Sequence, residues 1–252
     1  MSIVAADLVA FASANVPDSD SGNAGGAIDT LRRLDFTQLA ADDDIEVIST
    51  SASDTQNCTI EARKADGTIV SETVALTGTT AKIFSGNGVV ERILKVELAS
   101  AAIGTITVRR SVAGATVRAI PVGERGFLMV FRKAASDPSV QKDYFQKFYW
   151  KNLHGTLALT VATVKQNADP DARITHLLAA SKGDTATSTN RITAPAVGDT
   201  QDPDTFDDAD KSVPTGNLGA GETIGVWLRL RLPAGDPVHR TTYTSELTGQ
   251  TT

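Results

Sequence analysis

The sequence predicts an all-β protein of two β-sandwich domains, Ig-like or jelly-roll-like, preceded by an extended N-terminal arm. Three observations predict it. The stretch from Asn57 to Arg110 alternates apolar and polar residues with period two. Turn dipeptides such as Asp66-Gly67 separate the alternating runs. Nowhere does a helix-period pattern of useful length occur. Short antiparallel strands with one dry face need a second sheet to cover that face, which gives the sandwich.

Taken in order, residues 1–30 differ in kind from the rest. An apolar start, MSIVAADLVAFASANVP, runs into DSDSGNAGGAIDT, which is too polar to fold alone. Ile3, Val4, Leu8, Val9 and Phe11 would be wasted at a free terminus, so the segment is expected to order on a neighbouring subunit. Deleting it should then leave the domains folded and remove association.

The first sandwich is assigned to residues 31–112. It begins with RRLDFTQLA and DIEVIST, then enters the hairpin around Asp66-Gly67, where both central residues are expected at positive φ. In VVERILKVEL, Val90, Leu94, Val96 and Leu98 share a face interrupted by Arg92, and Ile93 breaks the opposite face. GTITVRR returns with Ile106 and Val108 inward. The boundary is set in the Pro/Gly break of SVAGATVRAIPVGERG.

The second sandwich takes residues 113–252. RGFLMVFRKA is apolar enough to be buried on both faces. FQKFYWK reads as a strand with aromatics on both sides, among them Tyr149 and Trp150. In HGTLALTVATVKQ, Leu157, Leu159 and Val161 oppose Ala158, Thr160 and Ala162. A polar loop at about 181–221 follows. In TIGVWLRLRL the face Val226, Leu228, Leu230, Leu232 opposes Trp227, Arg229 and Arg231, so this strand should be central.

Composition narrows the function classes. The 252 residues carry a net charge of −6, which argues against nucleic acid as the main partner. No apolar run approaches the roughly 18 to 20 residues of a membrane span, and the start lacks the basic region of a secretory signal. A single cysteine, Cys58, excludes an internal disulfide and suits assembly in a reducing cytoplasm.

Motifs of chemistry are sparse. Ser139-Val140-Gln141-Lys142 has the form S-x-x-K without its companion motifs and reads as chance. The run from Asp199 to Asp210 offers Asp202, Asp204, Asp207, Asp208 and Asp210 as hard oxygen ligands for Ca²⁺. It lacks the EF-hand spacing and reads better as a solvated loop. No cofactor and no catalytic residue is assigned. The aromatic cluster from Tyr144 to Trp150 reads first as packing on both faces of a core strand; its Tyr149 and Trp150, with Trp227, are the candidate interaction residues, on which sugars would stack in the alternative reading.

Taken together, RRLDFTQLAADDDIEVIST, the D-G hairpin followed by SETVALTGTT, VERILKVELASAAIGTITVRR, FYWKNLHGTLAL and ETIGVWLRLRLPAGDP resemble virion structural proteins of tailed bacteriophages. The resemblance implies a non-enzymatic particle protein. It is expected as head cement or decoration contacting the major capsid protein and copies of itself, with a trimer suiting threefold positions. A tail part or a carbohydrate- or receptor-binding module of the particle is the alternative.

Overall fold

Residues 2–16, 23–34, 37–132, 134–166, 172–183, 194, 206–236 and 243–251 are described by the structure, a computed structural model. The protein is all-β. Its described helical pieces are short 3-10 turns at Ala5–Asp7 and Pro214–Gly216. The chain forms two units, Thr30–Met129 and the pair of segments Met1–Asp29 and Val130–Thr252. That division corrects the expected boundaries of 31–112 and 113–252. The middle unit runs on to Met129, and the residues assigned to an arm belong with the C-terminal half.

The N-terminal segment gives β1, Leu8–Ser13, and a short β2, Asn23–Ala24. In the middle unit follow β3 (Ile28–Leu34), β4 (Ile45–Ser49), β5 (Asn57–Arg63), β6 (Ile69–Ala75), β7 (Lys82–Ile83), β8 (Arg92–Leu98), β9 (Ile106–Arg110), β10 (Thr116–Ile120) and β11 (Gly126–Leu128). One sheet has the order β3-β11-β8-β5-β6 and the other β10-β9-β4-β7. Their inward residues form one core. Ile45, Val47, Cys58, Ile60, Ala62, Ile93, Val96, Leu98, Ile106, Val108 and Phe127 all belong to it. Each large aliphatic buried there contributes about 1.5–3 kcal/mol.

The hairpin at Asp66-Gly67 is longer than a two-residue turn. Lys64 N–H donates to Thr68 O and Gly67 N–H to Lys64 O, with only Gly67 at positive φ (86°). This is a turn closed by a glycine bulge, and Asp66 steadies it by accepting from Thr68 N–H.

The residue that broke the alternation in β8 has a physical cause. Glu61 pairs with Lys95 but Ala62 pairs with Ile93, so Leu94 is the extra residue of a bulge. The bulge shifts the inward face by one, and it is Ile93 that joins the core. Close approach fixes another position. A Cβ on Gly126 would lie 1.9 Å from Val96 O, so β11 fits between β3 and β8 only because that residue is glycine.

In the discontinuous unit the C-terminal segment supplies β12 (Lys142–Asn152), β13 (Leu159–Gln166), β14 (Ile174–Leu178), β15 (Lys211–Ser212), β16 (Asn217–Leu218), β17 (Thr223–Leu232) and β18 (Ser245–Thr251). One sheet runs β14-β17-β12-β1, with β2 beside β12, and β17 is central in it as expected. The other is built on β13, flanked by β15 and β16 on one side and β18 on the other. β13 carries a second bulge. Its register shifts between Thr160 and Thr163, and Val161 sits at φ 50° and 64% exposed while Ala162 is buried. Val161 therefore leaves the face it was expected to share with Leu159. Part of the 181–221 stretch is also ordered strand, since β15 and β16 pair with β13.

Candidate functional site

β12 carries five aromatic side chains, Tyr144, Phe145, Phe148, Tyr149 and Trp150, and period two divides them. Phe145, Lys147 and Tyr149 share one face; Tyr144, Gln146, Phe148 and Trp150 share the other. The register with β17 sets Lys147 against Trp227 and Tyr149 against Gly225. Lys147 is 1% exposed, and its ammonium lies 5.1 Å from the Tyr149 ring centroid and 5.5 Å from that of Trp227. A cation between two aromatic faces is held by their quadrupoles. Gly225 makes the room: a Cβ there would come within 2.6 Å of Lys147 Cε. Tyr149 anchors the arrangement by donating its hydroxyl to Gly26 O at 2.6 Å.

Next to this box Phe206 packs edge-on to Phe145 and under Arg229, in a cluster with Leu177, Ala194 and Trp227. Tyr149 and Trp227 are thus internal, which removes them from any sugar platform. Trp150 is half-buried and donates its indole N–H to Ser245 Oγ.

The N-terminal residues also turn inward. Leu8 to Ala12 pair with Asn152 to Phe148, and Val9 and Phe11 are buried. Leu8 and Ile3 are half-buried, and Val4 stays 55% exposed. Val9 and Phe11, which suggested a neighbouring subunit, are covered within this chain, where β1 pairs along the Phe148–Asn152 end of β12.

Of the acidic candidates, Asp202 and Asp204 lie outside the described residues. Asp207 accepts from Lys211 Nζ (2.6 Å) and Ala209 N–H, Asp210 pairs with Lys165 (2.8 Å), and Asp208 is exposed. Among the described residues no group of three His, Cys, Asp or Glu is placed to hold a metal ion. Ser139 and Lys142 are not joined as an S-x-x-K pair would be. Asp137 takes both the Ser139 N–H (2.9 Å) and the Lys142 ammonium (3.4 Å).

Three buried polar groups escaped the reading of the sequence. His176, on β14, is fully buried; its backbone N–H donates to Asp207 O, and its Nδ1 lies 3.1 Å from Gln166 Oε1. The Gln166 amide nitrogen donates to Ile174 O, so its oxygen faces the imidazole and the proton sits on Nδ1. Nε2 is left without a hydrogen-bond partner among the described residues. Burial, then Lys211, pushes the imidazole pKa down to about 4, against the opposing pull of Asp207, Asp210 and Asp208.

Asp54 is the second. It accepts from Ser49 Oγ, Gln56 Nε2, Ile103 N–H and Gly104 N–H. Burial alone would raise its pKa, but these donors outweigh burial and hold the carboxyl below its ordinary value. Glu46, 1% exposed, is the third. It takes Arg109 Nε and Ala113 N–H, bracing the tip between β9 and β10.

Cys58 is inert. Burial pushes its thiol up to about 12, so negligible thiolate forms at neutral pH. Thiol reagents should leave the native protein unlabelled at pH 8 and label one site in guanidinium; fast native labelling would place Cys58 at the surface. Comparison with protein-family models, with curated proteins and with solved structures gives no match.

Proposed function

We propose that this chain is a structural protein of a tailed-phage particle, seated on the head against the major capsid protein and reinforcing the shell as cement. In this reading the two units act as two β-sandwich domains. The observation that supports it is how the buried polar groups are used. Asp54 holds the loop before β9, Glu46 the β9–β10 tip, Asn152 the carbonyls of Leu157 and Leu218, and Lys147 an aromatic stack. Each fixes backbone or packing, as a rigid building block requires.

The mechanism no longer uses an N-terminal arm, because β1 completes a sheet of its own chain. Strand edges and loops make the contacts instead. Repeated around a symmetric shell, weak contacts sum by avidity. The test is a cryo-electron-microscopy map of the source particle, together with co-sedimentation of the full chain with particles stripped of it. Density repeated over the head and saturable binding are expected. Density in a tail ring or tip would move the role to tail assembly or attachment, and absence from the particle would overturn the reading.

A further inference from the structure

The free edges of the sheets differ in how they are guarded. β7 is two residues long and carries Lys82. β10 has a register shift and Arg118, and β14 is bridged by Asp207. β18 carries Glu246 and lies along the bulged β13. Short strands, charges and bulges are the usual protections against edge-to-edge pairing. β6 has neither proline, lysine nor bulge. It pairs with β5 in one unbroken register from Asn57–Ala75 to Arg63–Ile69 and ends its sheet.

Which backbone groups it leaves open follows from the alternation of an antiparallel ladder. Lys64 N–H donates to Thr68 O and Leu76 N–H to Gln56 O. Val70, Glu72 and Val74 therefore turn their N–H and C=O toward β5, and Ile69, Ser71, Thr73 and Ala75 turn theirs outward. The side chains of those outward residues are exposed. Seven residues present an edge about 24 Å long.

We propose that β6 is a self-association edge, to which a second copy of this chain adds its own β6 antiparallel about a twofold axis. This deepens the particle reading and rests on it for its purpose, while the contact itself is testable without a particle. Charge selects the occupant and the register. Glu72 is the one charged side chain of β6, so neither a basic nor an acidic strand finds complementarity along it. A neutral edge of small side chains suits a copy of itself.

Centring the axis on Glu72 would set that carboxylate against its own copy. Centring it on Thr73 sets Glu72 opposite Val74 of the second copy, and leaves it free to keep accepting from Asn87 N–H. The same register extends the Thr59–Thr73 hydroxyl contact (2.7 Å) into a row Thr59–Thr73–Thr73–Thr59 across the axis. One strand pair buries less than the ~800 Å² per partner of a standard interface. The isolated contact is therefore weak, with a dissociation constant on the order of 10–1000 μM, and gains strength only by repetition.

The experiment is sedimentation of the full chain across that concentration range, beside Thr73→Pro and Thr73→Lys. Proline removes an N–H that points away from β5, and lysine keeps the whole ladder but sets two ammonium groups face to face. Each should weaken self-association at least about ten-fold, with the melting temperature within a few degrees of wild type. Hydrogen exchange gives a second readout. Amides of Ser71, Thr73 and Ala75 should gain protection with concentration, whereas Val70, Glu72 and Val74 are protected throughout.

A wild-type chain monomeric throughout, or association untouched by both variants, overturns the proposal. If the monomeric wild type still loses particle binding through Thr73→Lys, the edge takes a capsid strand and self-association falls. If solution association depends on Thr73 but no particle is bound, the particle reading fails and the edge stands.

Discussion

Replacing Asp54 by alanine is expected to cost about 3–5 kcal/mol of stability, the range seen when a buried charge is removed from several donors. Ser49 Oγ, Gln56 Nε2 and the N–H groups of Ile103 and Gly104 all converge on this one carboxylate. Alanine leaves them without an acceptor in a site closed to solvent. Gly104 adds a close fit, since a Cβ there would sit 2.6 Å from Ser51 N. Asp54→Asn should also destabilise strongly, by about 2 kcal/mol, because its NH₂ faces a donor. Ser49→Ala removes a single donor and should cost about 1 kcal/mol. Calorimetry or urea unfolding of the full chain reads this ranking. An alanine variant within about 1 kcal/mol of wild type would show that the loop does not depend on the clamp.

Acidification should destabilise the protein through His176. Its folded pKa of about 4 lies below the ordinary 6.5, so the folded state binds fewer protons than the unfolded one between those values. Stability contributed by the neutral imidazole is complete above pH 6.5 and is lost as the pH falls toward 4, by about 3 kcal/mol at most. Geometry gives the same direction. A proton on Nε2 would create a buried charged donor where the described residues supply no acceptor. His176→Gln should lose some stability at pH 7 and flatten the pH dependence between 4 and 6.5. NMR titration of the three histidines tests this directly. An ordinary pKa for His176 would remove it as the cause.

Much of the fold was legible because period-two alternation reports burial directly. The strands around Ile106, Val108 and Val226 to Leu232 lie where the pattern sets them. Alternation failed at two bulges. Leu94 and Val161 are each one residue out of phase, and nothing in ERILKVEL or LTVATVK marks the extra residue before the partner strand is known. The apolar N-terminal residues were correctly read as needing a cover, but the cover is β12, more than a hundred residues away in sequence, and local pattern carries no such pairing. The presence of aromatics on both faces of β12 was also legible, but the place of Lys147 among them was not read. Its accommodation depends on Gly225, which sits opposite Tyr149 only in the folded register. Asp54 and His176 looked like any loop aspartate and strand histidine. What distinguishes them is convergence of donors, or the lack of an acceptor, and both are properties of the fold.

The middle unit interrupts the other, and this orders events during synthesis. Thr30–Met129 is continuous, and all its strands have left the ribosome before most of the discontinuous unit has been made. β1 emerges first but cannot be completed until β12, whose Asn152 is the register partner of Leu8, follows it. For that interval the nascent chain holds an early strand with its apolar residues unpaired, while a finished unit forms between it and its mate. A message truncated between Met129 and β12 would therefore yield a folded middle with an unsatisfied leading segment, a species prone to capture by chaperones.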